Sequence, residues 1–202
     1  MQNITPENLI LLCGELTTEG TPVRLACGEE LYEFLMKITL PTGVDILPVL
    51  LAKDKLDDTV HKGATLSLTG RIFSEEQVAG EEHTLVLKVL AEEVYAGETE
   101  ITSGIFLTGN VIKKPYTYTL GEGERTEFQL SLQGNDQQFI YVPIAAEGEN
   151  ATIAKGLQLG DTISVLGQLH SYEYMDLSEG GATTKTAYEV EILTFTALPK
   201  YN

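Results

Sequence analysis

The sequence predicts an all-β protein: two small Greek-key barrels in tandem, each of five strands with one short helix between the third and the fourth. Three observations carry this expectation. Ten segments alternate apolar and polar residues, the period of a half-buried strand. The chain repeats itself once, at a spacing of 94 to 97 residues. Its 202 residues also divide into two stretches of about 100, a common domain size.

The repeat is densest where Lys62-Gly63-Ala64-Thr65-Leu66-Ser67-Leu68-Thr69-Gly70-Arg71-Ile72-Phe73-Ser74 reads like Leu159-Gly160-Asp161-Thr162-Ile163-Ser164-Val165-Leu166-Gly167-Gln168-Leu169-His170-Ser171. Upstream, Ile10–Gly14 resembles Ile105–Gly109, Glu33-Phe34 resembles Glu127-Phe128, and Ile46-Leu47-Pro48-Val49 resembles Tyr141-Val142-Pro143-Ile144. Four blocks in one order at one offset mark a duplication.

Taken in order, the first half has strand patterns near 8–16, 31–40, 44–51, 64–73 and 84–95. The second half has them near 103–112, 126–133, 137–145, 161–172 and 186–196. Between the third and fourth strands, Lys53–Lys62 and Glu149–Leu157 have helical spacing, as in Leu56 and Val60. Gly14, Gly70, Gly109 and Gly167 fall inside strands, where glycine suits a bulge or the bend of a closing barrel. This is the element order of the OB-fold. The polar stretch Ala96–Glu100 marks the join, so residues 1–98 are expected to form one domain and 99–202 the other.

Composition narrows the function classes. No run of 18 apolar residues is present, so no membrane-spanning helix is expected. Met1–Thr5 lacks a basic region before an apolar core, so no signal peptide is read and a cytoplasmic location is expected. Cys13 and Cys27 stand alone and read as reduced thiols. His61, His83 and His170 are isolated, without metal-ligand spacing. The acidic pairs Glu75-Glu76, Glu81-Glu82 and Glu92-Glu93 read as solvated faces, and Gly121-Glu122-Gly123 as a turn. The chain is therefore expected to be a binding protein without cofactor or catalytic residues.

The second half resembles the bacterial single-stranded-DNA-binding proteins. The resemblance runs through Gly109-Asn110-Val111, Lys113-Lys114-Pro115, Tyr116–Thr119 and Phe128–Leu132. It continues through Phe139-Ile140 to Pro143, Gly160–Val165, Gly167–Tyr172 and Tyr188–Ile192. The first half matches at Ile10–Leu16, Pro48, Gly63–Ile72 and Val89–Val94. The resemblance implies single-stranded DNA as partner, contacts with replication or repair proteins, and four OB-folds per assembly. A chain with two would then form a homodimer. There are departures. The sequence has no Trp, on which the family commonly stacks bases, and Glu15 and Asn110 replace a basic residue after the first-strand glycine. The acidic, Phe-ended tail of the family has no counterpart at Leu198–Asn202, so a role other than the main replication factor is expected. Within the first half, Ile46 to Leu51 is apolar on both faces, as a central or an interface strand requires.

Charge frames the site. Thirteen basic and thirty acidic residues give −17, which repels a phosphate backbone at long range. Binding must then rest on a local basic track and on stacking. The second-half loop between strands 1 and 2 supplies Lys113, Lys114, Tyr116, Tyr118 and Arg125. If Lys114–Tyr118 is extended, Lys114, Tyr116 and Tyr118 share one side. The loop between strands 4 and 5 adds Tyr172, Tyr174 and Lys185, diluted by Glu173, Asp176 and Glu179. In the first half only Arg71 and Phe73 qualify, beside the acidic segment Ser74–His83. Tyrosine also covers pleated sheet without binding anything. The competing reading is accordingly an acidic tandem scaffold that docks a basic partner and binds no DNA.

Overall fold

A computed structural model describes residues 7–24, 28–79, 82–97, 103–134, 139–176 and 182–199. Among them are eleven strands and one α-helix. The first half contributes β1 (Asn8–Leu16), β2 (Thr21–Arg24), β3 (Glu30–Leu40), β4 (Gly43–Ala52), β5 (Thr65–Ala79) and β6 (Glu82–Ala96). The second contributes β7 (Gly104–Leu120), β8 (Gly123–Gln133), β9 (Phe139–Glu147), α1 (Gly148–Ala154), β10 (Thr162–Asp176) and β11 (Thr183–Ala197). The protein is all-β. Cys27 and the expected join at 98–100 lie outside the described residues.

Packing divides the chain into two compact units. One takes in the residues up to Ile10, Gly104–Leu169 and the residues from Glu189 onward; the other takes in Leu11–Ser103 and His170–Tyr188. The 104–169 unit orders its strands β10-β11-β9-β8-β7, and β10 pairs again with β7, so five strands close a cycle. In the 11–103 unit the order is β1-β5-β6-β4-β3-β2, and β1 pairs again with β3. The short β2 is an edge strand that alternation over four residues does not announce.

The two halves repeat one ladder. The Gly63 N–H donates to Leu16 O at 2.7 Å, and the Gly160 N–H donates to Val111 O at 2.8 Å. Both glycines have positive φ, 87° and 82°, which L side chains rarely adopt. Val49 and Leu50 pair in parallel with Val89 and Leu90, as Ile144 and Ala145 pair with Val190 and Glu191. A Cβ at Gly70 would lie 2.3 Å from Leu90 O, and one at Gly167 would lie 2.4 Å from Glu191 O. Each glycine therefore lets strands cross more closely than any side chain allows.

Between β4 and β5 the helix expected over Lys53–Lys62 shrinks to one 3-10 turn, Lys53–Lys55. Asp57 explains the stop. Its carboxylate accepts from the Thr59 N–H at 2.8 Å and the Thr59 hydroxyl at 2.5 Å, a local turn that competes with helix. In the second half α1 forms and buries Ala151 and Ala154. The two segments expected as loops between strands 1–2 and 4–5 are largely ladder. β7 and β8 stay paired to Leu120–Gly123, and β5 and β6 to Ala79–Glu82. Only Gly80 and Glu81 of the latter turn lie outside the described residues.

Each unit has its own core. Phe34, Met36, Leu47 and Val49 fill one, and Phe128, Leu130, Val142 and Ile144 fill the other, all at 4% exposure or less. Burying each such side chain stabilises the fold by about 1.5–3 kcal/mol. Within the 11–103 unit, β4 is covered on both faces: Leu47, Leu50 and Leu51 are fully buried. The chain itself thus encloses β4 from Leu47 to Leu51, while Val44 and Ile46 of the same strand are exposed.

Candidate nucleic-acid interface

The outward face of β7, β8 and β9 gathers the side chains of chemical interest in the 104–169 unit. Cross-strand partners share a side of the sheet. Register therefore aligns Tyr118 with Arg125 and Glu147, Tyr116 with Glu127, Lys113 with Gln129 and Pro143, and Asn110 with Ser131 and Tyr141. A last row pairs Gln133 with Phe139. Rings stand at both ends of this face. Tyr116 is 65% exposed and stacks on Tyr118, with centroids 5.7 Å apart and planes at 30°. Phe139 is 61% and Tyr141 41% exposed. At about 3.4 Å per residue, the rows from Glu127 to Gln133 span roughly 20 Å.

Pro115 lacks an N–H, and the β7–β8 register shifts on either side of Lys113. The shift brings Lys113 rather than Lys114 into the row pattern of the tyrosines. Simple alternation, which grouped Lys114 with Tyr116 and Tyr118, fails at this bulge; Lys114 is exposed on the irregular step.

Arg125 lies opposite Tyr118 in the β7–β8 ladder. Its side chain is 12% exposed and meets three carboxylates: Nε donates to Glu127 at 3.0 Å, one terminal nitrogen to Glu147 at 2.8 Å, and the other to Glu189. Burial opposes its charge, but Glu189, Glu127 and Glu147 outweigh burial and raise its pKa further above the ordinary value. Burial likewise pushes Glu127 up, yet Tyr118, Arg125 and Lys113 hold its carboxyl below the ordinary range. The Tyr118 hydroxyl donates to Glu127 at 2.5 Å, and this bond, with burial, raises the phenol. Arg125 is thus committed to protein carboxylates.

The remaining expected residues fall in the 11–103 unit. Tyr172 and Tyr174 are exposed on β10, at 48% and 36%. Lys185 pairs with Asp176 at 2.6 Å, and Arg71 pairs with Glu92 at 3.4 Å. Phe73 is half-buried and lies opposite Lys88 in the β5–β6 ladder. In this unit His170 and Ser171 of β10 meet β4, and Lys185 and Tyr188 of β11 line a cavity with residues of β3, β4 and β6. Asp45, 4% exposed, accepts from the Ser171 N–H at 2.6 Å, the Ser171 hydroxyl at 3.1 Å and His170 Nδ1 at 3.1 Å. The cavity measures about 360 Å³ and is lined by Glu33, Leu35, Pro48, Lys88, Lys185 and Tyr188 among others. Lys88 is clamped there between Glu33 at 2.6 Å and Glu75 at 3.0 Å. Burial opposes its charge, but both carboxylates outweigh it and raise the lysine pKa. Burial and the charge of Glu33 push the Tyr188 phenol up.

The repeat matches the two outward faces position by position in sequence. At its spacing of 95 residues, Phe139, Tyr141 and Pro143 correspond to Val44, Ile46 and Pro48. The second-half face therefore carries rings where the first carries aliphatic side chains. Phe139 and Tyr141 were not among the expected site residues. The signal was present: they occupy the outward phase of a strand whose inward phase is Ile140, Val142 and Ile144.

The fold has close counterparts among solved structures. The chain superposes on the crystal structure of the wild-type single-stranded DNA binding protein from Thermus aquaticus with a TM-score of 0.73. The alignment is 18% identical and covers 98% of this chain and 95% of that one. A deletion mutant of the same Thermus aquaticus protein gives the same score and identity, with 97% of its chain covered. The chain thus shares the fold of that protein over nearly its whole described length. No family model and no curated protein sequence matches it.

Proposed function

We propose that this protein binds single-stranded DNA as two tandem OB barrels and catalyses no reaction. The observation that carries the reading is the outward β7–β9 face, where exposed Tyr116, Phe139 and Tyr141 flank Lys113. OB barrels bind oligonucleotides on the face of their second and third strands, here β8 and β9. Aromatic side chains there stack bases without regard to sequence, and lysines neutralise phosphates. The ladder repeated in both halves supports a barrel duplicated at the 98/99 join, with α1 and the 3-10 turn in the same place between third and fourth strands.

In this reading the second half dominates. Lys113, Lys114, Tyr116 and Tyr118 act with Phe139 and Tyr141, while Tyr172, Tyr174, Lys185, Arg71 and Phe73 contribute less. Two of those, Lys185 and Arg71, already hold carboxylates. The chain acts as a homodimer carrying four barrels, for which sedimentation at twice the monomer mass is the check. Replication or repair proteins are its working partners.

Fluorescence anisotropy with labelled oligo-dT tests the reading. Micromolar binding at about 20 mM salt, weakening as salt rises, is expected. Absence of binding at that salt rejects it and favours an acidic scaffold for a basic protein partner.

A further inference from the structure

The fork of Arg125 does not face solvent. Nε, and both terminal nitrogens, end on Glu127, Glu147 and Glu189, which come from β8, β9 and β11. The same Oε1 of Glu127 that receives Nε also accepts the Tyr118 hydroxyl. Tyr118 in turn stacks on Tyr116, the most exposed ring of the face. One continuous chain of contacts therefore runs from the buried Glu189 through Arg125, Glu127 and Tyr118 to Tyr116.

We infer that Arg125 is a positioning residue, which holds the Tyr116–Tyr118 stack in place through Glu127 and touches no phosphate. The inference rests on the DNA-binding reading above and gives this arginine a role that charge alone would not suggest. A cation in an acidic chain looks like a phosphate contact. Geometry argues otherwise, because a planar guanidinium has a fixed set of donors and these are directed at three carboxylates. A lysine has the charge but not the fork, so it does not replace the arrangement. Fixing Tyr118 at its hydroxyl lowers the ordering cost of the stack when a base adds to it.

The test separates positioning from phosphate contact by the salt dependence of oligo-dT binding. Each phosphate neutralised on a single strand contributes about −0.7 to the slope of log K against log salt. Lys113→Ala is expected to flatten the slope by about that amount. Arg125→Met and Arg125→Lys are each expected to weaken binding about 3- to 10-fold with the slope unchanged. Tyr118→Phe keeps the ring but loses the bond to Glu127, and is expected to weaken binding to a similar degree. In the double variant with Arg125→Met the two losses do not multiply, because they cut one chain. Should Arg125→Met not fold, Glu127→Gln with Tyr118→Phe completes the same cycle. A flatter slope for Arg125→Lys or Arg125→Met, or losses that multiply, overturns the positioning role while leaving DNA binding intact. Absence of binding by the parent chain instead overturns the reading on which the inference stands.

Discussion

Removing Phe139 and Tyr141 together is the sharpest test of the β7–β9 face. Both rings lie on the outward phase of β9, so alanine there should leave the inward Ile140, Val142 and Ile144 undisturbed. Surface substitutions of this kind usually change stability by no more than about 0.5 kcal/mol. Each ring that stacks a base is worth about 1–3 kcal/mol. Tyr141 is less open than Phe139, 41% against 61%, so the pair is expected to cost about 2–4 kcal/mol rather than the full sum. That is a loss of roughly 30- to 1000-fold in affinity. The matched control is Val44→Ala with Ile46→Ala at the corresponding first-half positions, for which a loss below about threefold is expected because aliphatic side chains offer no stacking face. Anisotropy titration with labelled oligo-dT measures both pairs, with circular dichroism melting to confirm that each variant folds. Since the rings carry no charge, the salt slope should stay where it was. Equal losses from the two pairs, or less than a threefold loss from the ring pair in a folded protein, would refute the assignment of the face.

Three further outcomes are expected. Asp45→Ala removes the acceptor for the Ser171 amide, the Ser171 hydroxyl and His170, a loss of about 1–3 kcal/mol read as faster amide exchange at residue 171; unchanged exchange would show that the hairpin is held elsewhere. Gly167→Ala places a Cβ 2.4 Å from Glu191 O and 2.8 Å from a Val190 methyl, which should cost about 2–3 kcal/mol. At about 2–4 °C per kcal/mol for this size, melting should fall by about 4–12 °C, and an unchanged transition would contradict the close crossing. The third concerns acid. The folded Glu127 carboxyl lies below its ordinary value of 4.5, so its contribution is fully present above that value and is lost as pH falls through the lowered one. Melting temperature measured from pH 6 to pH 3 should drop more in the parent than in Glu127→Gln, and the reverse order would contradict the sign.

Much of the fold was legible because it is written twice. Alternation located the strands, and the shared Gly-Thr-apolar-Ser-apolar pattern before Gly70 and Gly167 located the fourth strand in both halves. What escaped was set by local chemistry that competes with pattern. Leu56 and Val60 have helical spacing, but Asp57 captures Thr59 and a turn wins. Pro115 breaks the alternation that grouped Lys114 with the tyrosines. Tyr116 and Tyr118 were readable as an aromatic pair, and they stack. The engagement of Arg125 was not readable, because Glu147 and Glu189 come from strands 22 and 64 residues further along. Phe139 and Tyr141 were readable in principle, since aromatic residues on a strand's solvent phase demand a reason that a core-facing ring does not. The grouping of residues 170–188 with the first half depends on contacts at separations near 125, beyond the reach of any local pattern.

The chain's charge of −17 is also distributed in a way that only packing shows. Beside the β7–β9 face, Arg125 alone is matched by three carboxylates, Glu127, Glu147 and Glu189, while Lys113 stands opposite the uncharged Gln129. Long-range repulsion from the rest of the chain is screened within about 10 Å at 0.1 M salt, which leaves stacking as the deciding contact in the proposed reading. The first half reaches a related arrangement with opposite signs. Lys88, one residue before the parallel pair Val89–Val49, joins β6 to Glu33 of β3. In the second half the residue before the matching pair, Val190–Ile144, is Glu189, and the counterpart of Glu33 is Glu127. Two carboxylates in that place would repel, and Arg125 bridges them. The lysine version of the strut ends on acids alone, whereas the arginine version leaves Glu127 able to accept from a tyrosine. The half with Lys88 at this packed position carries exposed Val44 and Ile46 on its outward strand face, and the half with Glu189 there carries the stacked Tyr116 and Tyr118.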